Sequence, residues 1–243
     1  AESAPRSGRA GRSGRVEAEA PARPMTEGTV FDGDWVMIGV GAVIVASYWF
    51  VDRCLSNGFE AAGYPVMTPD LIGHDGASSA AGLSMLDYAR QIGRLIETCE
   101  RPPVLIGHSM GGLVAQMAAT RAPVSKLILL APSAPWGVSG GTLEEAVSAM
   151  SLYALGPYWM QAVAPDYGVV RRYSVDRLAR HHRKAIFARM TPESGRALWE
   201  TLNWWLDPFM TTSVRAPACP VLAIAGGKDV VHPPATVRQT AAR

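Results

Sequence analysis

The chain has 243 residues, of which 48% are hydrophobic and 18% charged, and this composition excludes collagen-like, coiled-coil and wholly disordered proteins. The length is ample for a buried core and favours one domain. Residues 1–24 hold five Arg against three Glu, and the rest of the chain is balanced at 18 residues of each sign. A neutral body gives no electrostatic reason to expect a nucleic acid partner.

The cysteines are three in number and widely spaced: Cys54, Cys99 and Cys219. They form neither a disulfide framework nor a CxxC metal knuckle, which favours a reducing compartment and hence a cytoplasmic protein. No other spacing in the chain is typical of a metal site, and no glycine loop is typical of phosphate binding. We therefore expect no metal and no cofactor.

The amino-terminal part divides into a polar tail and an apolar run. Residues 1–24 have only one bulky aliphatic side chain, so we predict a disordered tail there and a single domain over 25–243. Residues 35–51 are uncharged, and these 17 residues reach the lower limit of membrane-spanning length. Two glycines interrupt the run, and the downstream pattern needs a buried strand. We favour a strand at Trp35–Val40 over a membrane anchor.

Further along, short apolar strands alternate with helical segments, a pattern typical of parallel strands joined by crossover helices. The alternation stops between Ser133 and Ser213 and resumes with a strand at Val221–Ala225. We predict an α/β fold with a mostly parallel sheet, helices on both faces and a helical cap inserted at about 133–213. The intervening predictions are helix Tyr48–Ala62, strand Pro65–Thr68, helix Leu83–Glu100, strand Val104–Ile106, helix Gly111–Arg121 and strand Lys126–Leu130.

The Gly-His-Ser-Met-Gly-Gly sequence at 107–112 stands between an apolar strand and a predicted helix. A serine at a sharp strand-to-helix turn needs small neighbours, because a side chain on a flanking glycine collides with the packed strand and helix. Ser109 is then exposed at the carboxyl edge of the sheet, beside the positive end of the following helix. The alternative is a glycine-rich turn in which the serine has no chemical role.

Three further segments accompany this motif in order. They are Glu-Ala-Ala-Gly-Tyr-Pro-Val at 60–66, Pro-Asp-Leu-Ile-Gly-His at 69–74 and Gly-Gly-Lys-Asp at 226–229. With the serine motif, they resemble the α/β-hydrolase family, in particular its small esterase, lipase and peroxidase-like members. The resemblance implies a serine hydrolase that cleaves carboxylic esters through an acyl-enzyme, with Ser109 as the nucleophile.

A serine hydroxyl needs a base to take its proton and an acid to orient that base. The resemblance places the acid after a late strand, where Asp229 matches. Asp207, in a Leu-Asp-Pro sequence, is a rival because some family members carry the acid after an earlier strand. Each aspartate has a simpler interpretation as a turn residue.

The base has no match in the family's usual place, because residues 233–243 contain no histidine. We expect the catalytic histidine beyond Arg243. His232 is a weaker substitute, since only two residues separate it from Asp229. The other histidines are expected at structural positions (His74, His108) or facing solvent in the cap (His181, His182).

The family's oxyanion hole uses two backbone N–H groups. The resemblance assigns one to Met110, the residue after the nucleophile. It takes the other from the loop after the first strand, where we favour Ala42, with Gly41 as the family glycine. The family's usual His-Gly pair is absent from this loop.

The predicted cap holds 11 of the 19 aromatic residues, which indicates a small apolar ester as substrate, although many of these rings are needed for the cap's own core. The alternatives on the same fold are a thioesterase, lactonase or perhydrolase with the same triad, or a non-catalytic binding protein. Residues 171–189 carry seven Lys or Arg and one acidic residue, which is more typical of a solvated helix face than of a surface for anionic head groups.

Overall fold

A parallel β-sheet is the centre of the computed structural model, which describes residues 43–46, 56–139 and 150–243. All of these residues belong to one compact unit, Gly39–Arg243. The predicted tail at 1–24 and the predicted strand at Trp35–Val40 lie outside the described residues. Among the described helices, none has both the length and the apolar character needed to span a bilayer.

The strands of the described chain are β1 (Val43–Ala46), β2 (Val66–Met67), β3 (Val104–His108), β4 (Lys126–Leu130), β5 (Ala162–Val163), β6 (Glu193–Ser194) and β7 (Val221–Ile224). The main sheet has the order β2-β1-β3-β4-β7, and every pair of neighbours in it is parallel. The strands β5 and β6 form a separate antiparallel pair. Four of the strands predicted outside the cap match β2, β3, β4 and β7, with small shifts at their ends.

The first described strand of the sheet is β1 at Val43–Ala46, where Val43 pairs with Val104 of β3 and Ala46 pairs with Gly107. The predicted strand at Trp35–Val40 falls outside the described residues and stays a prediction. Residues 35–51 are uncharged throughout, so hydrophobicity alone does not fix which of them enter the sheet.

Two helices cover the sheet next to β3. Helix α1 (Met85–Glu97) is amphipathic and buries Tyr88, Ile92 and Ile96 at helical spacing. Helix α2 (Met110–Ala119) is buried from Gly111 to Ala118, because it contacts both the sheet and α1. These two helices and β3 contribute most of the main hydrophobic core. Residues 56–61 are also helical, in agreement with the end of the predicted helix there.

The strand order contains a switch point. The chain runs from β1 outward to β2 and then returns to place β3 on the other side of β1. In open parallel sheets, ligands bind at the carboxyl ends of the strands where the order reverses. The carboxyl end of β3 is therefore the position in this sheet where a site is expected.

The segment between β4 and β7 interrupts the alternation of strands and helices, as predicted. Its described part contains no strand that joins the main sheet. Buried Tyr158 is the centre of a small ring cluster with Tyr153 and Trp159, and burial together with Tyr153 raises its pKa to about 12. The helices of this segment and of the chain end are α3 (Tyr167–Tyr173), α4 (Arg180–Phe187), α5 (Gly195–Leu202) and α6 (Pro234–Ala241), with 3-10 turns at Tyr153–Leu155, Tyr158–Met160 and Trp204–Leu206.

A buried carboxylate from this segment holds the amino end of α1. Glu200 on α5 is 3% exposed and accepts hydrogen bonds from the Ser84 hydroxyl at 2.8 Å and from the Met85 N–H at 2.8 Å. Arg196 Nε donates to the other oxygen at 2.9 Å. The Glu200 carboxylate lies at the amino end of α1, where the positive end of the helix dipole stabilises its negative charge. The segment is therefore attached to the core by charged hydrogen bonds as well as by apolar packing.

Replacing Glu200 by Gln leaves an amide NH2 facing donors that need an acceptor. We expect Glu200→Gln to lower the free energy of unfolding by about 2 kcal/mol, the usual cost of an unpaired buried donor. The matched control is Glu97→Gln, at an exposed position at the other end of α1. We expect this control to change the free energy of unfolding by less than about 0.5 kcal/mol. Urea unfolding measures both, and equal effects would contradict the assignment.

Candidate active site

Ser109 follows the last residue of β3 and precedes the first residue of α2, at the switch point of the sheet. Its backbone has φ 53° and ψ −125°, a conformation that costs a residue with a side chain about 1–3 kcal/mol. Its N–H donates to the carbonyl of Leu130 at 3.0 Å, and its carbonyl accepts from the N–H of Gly112 and of Ser133, each at 2.9 Å. The side chain is half-buried, and within the described chain its hydroxyl has no hydrogen-bond partner.

The turn is tight because two glycines let its halves approach closely. A Cβ at Gly107 lies 2.5 Å from the carbonyl oxygen of Gly111 and 2.7 Å from the Cβ of Ala115. A Cβ at Gly112 lies 2.7 Å from the ring of Pro132. Neither neighbour is the end of a flexible side chain, so both positions exclude any larger residue. The predicted need for small neighbours of Ser109 is thus met at Gly107 and Gly112.

Met110 is the first residue of α2, so its N–H is one of the four amides at the amino end that have no acceptor within the helix. The helix dipole adds partial positive charge at the same place. The N–H of Met110 is therefore available to an acceptor outside the helix, and its predicted role as an oxyanion donor stays a prediction.

The second predicted oxyanion donor, Ala42, lies outside the described residues, so its assignment stays a prediction. The described strand β1 begins at the next residue, Val43, which pairs with Val104 of β3.

Asp229 lies in the turn that follows β7, as predicted. Its Oδ1 accepts the backbone N–H groups of Val231 and His232, both at 2.9 Å, which fixes the carboxylate. In the described part of the chain no hydrogen bond reaches its Oδ2. One oxygen is thus used for the turn, and the other is left for a further donor.

Asp207, the rival acid, has a different environment. It is 5% exposed, and its oxygens accept the N–H groups of Phe209 at 3.0 Å and Thr211 at 2.7 Å. Both oxygens are therefore occupied by the turn at 207–211. Its simpler interpretation as a turn residue fits these contacts, and Asp229 is the better placed of the two candidates.

Two histidines lie near Asp229. The Nε2 of His232 lies 3.1 Å from the hydroxyl of Ser133, so the ring contacts Ser133 and not Ser109. His108, at the end of β3, has a buried Nδ1 without a hydrogen-bond partner among the described residues. Burial lowers the pKa of both histidines, while the nearby charge of Asp229 opposes the shift. Both rings are therefore favoured in the neutral form.

The remaining histidines lie away from this turn. His181 and His182 are exposed on α4, as predicted. His74 packs between α1 and β6: its Nε2 lies 3.3 Å from the carboxylate of Glu193, and its Nδ1 lies 2.8 Å from the hydroxyl of Thr191. Burial alone lowers the pKa of His74, but the hydrogen bond and charge of Glu193, together with the charges of Asp70 and Asp75, raise the pKa above 6.5.

The residues after β4 complete the turn at Ser109, and they were not predicted as part of the site. Ala131 has φ 41°, and its N–H donates to the carbonyl of Ile224 in β7 at 2.7 Å. Pro132 packs on Gly112, and Ser133 donates to Ser109. The sequence marks these residues only as Ala-Pro-Ser directly after a strand, and this pattern is not specific for a functional turn. Within the described ranges no three His, Cys, Asp or Glu residues are arranged to hold a metal ion.

The sequence matches a known family over most of its length. Residues 36–243 match the Alpha/beta hydrolase family. The chain belongs to this family. The match covers the sheet, the turn at Ser109 and the turn at Asp229, which agrees with the resemblance seen in the separate motifs.

Individual relatives are more distant or match in part. The chain is 35% identical over 129 residues to the dihydrolipoyllysine-residue acetyltransferase component of the acetoin cleaving system of Cupriavidus necator, which is 51% of this chain and 34% of that protein. It is 34% identical over 89 residues to Lipase LipV of Mycobacterium tuberculosis, which is 35% of this chain and 33% of that protein. The matches therefore span about one third of the length of these curated relatives.

Solved structures extend the comparison to the fold. The structure is similar to an esterase from Exiguobacterium antarcticum with a TM-score of 0.63 and 19% identity, over 84% of this chain and 80% of that one. At this identity the likeness is one of fold alone. The covering role of the segment between β4 and β7 therefore stays a prediction.

The close approach at Gly107 gives a direct test of the turn. We expect Gly107→Ala to lower the free energy of unfolding by about 2 kcal/mol or more, because the added methyl meets backbone and a helix side chain. The control is Gly93→Ala in α1, where a Cβ meets nothing within 4 Å, and helix propensity favours Ala by up to about 1 kcal/mol. Thermal unfolding compares them; a Gly107→Ala protein as stable as the parent would exclude the tight turn.

The contacts of His74 predict a pH-dependent contribution to stability. Since its pKa is raised in the folded state, the stabilisation is fully present below 6.5, the ordinary value, and is lost as the pH rises through the raised pKa. The difference in unfolding free energy between the parent and His74→Gln is therefore larger at about pH 6 than at about pH 9. Urea unfolding at both pH values measures this difference, and His181→Gln, at an exposed position of α4, is the control. A difference that is equal at the two pH values would contradict the prediction.

Proposed function

We propose that the protein is a serine hydrolase that cleaves carboxylic esters of apolar acyl or aryl groups through an acyl-enzyme. The observation that carries the proposal is the conformation of Ser109. Ser109 has a strained backbone at the carboxyl end of β3, and its half-buried hydroxyl lies next to the amino end of α2, whose first amides have no acceptor within the helix. Strain of this kind persists where the surrounding structure enforces it, and here two glycines and the turn after β4 do so.

In the proposed reaction, Ser109 Oγ attacks the ester carbonyl carbon while a base takes the hydroxyl proton. The negative oxygen of the tetrahedral intermediate accepts a hydrogen bond from the Met110 N–H. The alcohol leaves with a proton from the base, and an acyl group remains on Ser109. Water then attacks the acyl-enzyme by the same route and releases the acid.

Asp229 has the position and the free oxygen that the acid of such a triad needs. Its Oδ1 is held by two backbone amides, so Oδ2 can accept the N–H of a histidine ring without reorientation. No histidine of the described chain makes that contact with its ring. The base of the proposed triad is therefore not assigned among the described residues, and the ring of His232 contacts Ser133 instead.

The apolar character of the substrate is proposed from the segment between β4 and β7. This segment exposes large apolar side chains near the end of α5, namely Trp205, Leu206, Phe209 and Met210. Aromatic and aliphatic side chains are typical of sites that bind apolar ligands and exclude water. LipV, a partial relative, is named a lipase, which is consistent with an ester of this kind. The proposed role of the segment is that of a cap over Ser109.

A fluorophosphonate probe tests the nucleophile directly. We expect the intact protein to be labelled at one site per chain and Ser109→Ala to be unlabelled, because the phosphonate reacts with an activated serine whose oxyanion is stabilised. Ser79→Ala, an exposed serine in the loop after β2, is the matched control and keeps full labelling. Absence of labelling in the intact, folded protein contradicts the proposal and favours a binding protein on the same fold.

Turnover then separates the chemistries that share this nucleophile. Hydrolysis of p-nitrophenyl esters is compared with hydrolysis of acyl thioesters and lactones and with peracid formation in one preparation. The proposal expects the ester to have the highest kcat/KM. A thioester, lactone or peracid preference contradicts the ester assignment while leaving Ser109 as the nucleophile.

A further inference from the structure

The acid turn and the serine turn are joined by a chain of hydrogen bonds that the proposed mechanism does not use. Asp229 Oδ1 accepts the backbone N–H of His232 at 2.9 Å. The ring of His232 is 3.1 Å from the hydroxyl of Ser133, and the N–H of Ser133 donates to the carbonyl of Ser109 at 2.9 Å. The path connects residues 229 and 109 through two side chains and two backbone groups.

The central contact of this path is protected from water. Ser133 is 6% exposed, and His232 is half-buried. A hydroxyl both donates and accepts, so either tautomer of a neutral imidazole completes the bond. The titratable groups that face the ring are Asp229, in its own turn, and His108, at the end of β3. A buried bond between neutral partners is geometrically specific, and losing either partner leaves the other unsatisfied.

We propose that His232 is a positioning residue for Ser109 and acts through Ser133. The ring holds the turn after β4 against the carbonyl of Ser109 and so fixes the strained turn relative to the carboxylate of Asp229. This role rests on the proposed function, because it concerns the alignment of the same nucleophile. It also explains why the ring is directed to Ser133 and not to the hydroxyl of Ser109, as a base would be.

The two residues act as one unit in this account, which makes a specific kinetic prediction. His232→Ala and Ser133→Ala each slow fluorophosphonate labelling of Ser109, by about tenfold, since small misplacements of reacting groups have effects of this size or larger. The double variant is slowed no more than either single variant, because both changes break the same bond. His232→Gln, whose terminal amide reaches toward Ser133, restores at least part of the lost rate.

The experiment measures labelling rate constants on the full chain, normalised to the folded fraction from circular dichroism. This normalisation separates positioning from a loss of stability, and the Gln variant provides a readout if the Ala variants fold poorly. Labelling of His232→Ala at the parent rate, additive effects in the double variant, or a Gln variant no faster than Ala would each overturn the inference alone. If the parent protein is not labelled, the proposed function fails first, and no nucleophile remains to be positioned.

Discussion

The fold depends on how closely β3 and α2 approach at one turn. The space between them admits no Cβ at Gly107 or Gly112, and the residue between these glycines that turns the chain has a positive φ despite carrying a side chain. Packing on both sides enforces the strain at Ser109: α2 is buried against the sheet, and the turn after β4 is hydrogen-bonded to the serine backbone. A relaxed turn would separate the helix from the sheet, so local strain and global packing are coupled.

The segment between β4 and β7 shows a different kind of attachment. Glu200 on its helix α5 accepts a hydrogen bond from the Ser84 hydroxyl at the amino end of α1. Glu193, which precedes α5, accepts a 2.7 Å hydrogen bond from the hydroxyl of Tyr88 on α1. Buried carboxylates are costly unless fully hydrogen-bonded, and each of these two has several donors. Such contacts define the placement of the segment more sharply than apolar packing does. The cap role proposed for this segment requires such a defined placement.

The sequence predicted the sheet and the position of the serine because both depend on local signals. The apolar run at 104–106 and the glycines around Ser109 determine a strand, a tight turn and a helix with little help from the rest of the chain. The strand at Val43–Ala46 was not predicted, because residues 35–51 are uncharged throughout and pairing with β3 is what identifies these four as part of the sheet. The contact of His232 with Ser133 joins residues 99 positions apart, and no periodicity in the chain indicates it. The same holds for Glu200, whose partner Ser84 is 116 positions away.

The central claim is that the hydroxyl of Ser109 is reactive because the turn aims it beside the free amides of α2. A crystal structure of the fluorophosphonate-treated protein tests this claim most directly. The account predicts a phosphorus bonded to Ser109 Oγ, with the phosphonyl oxygen about 2.7–3.1 Å from the Met110 nitrogen and the positive φ of Ser109 retained. A phosphonate on another residue, or an oxygen turned away from Met110 on a relaxed turn, would contradict it.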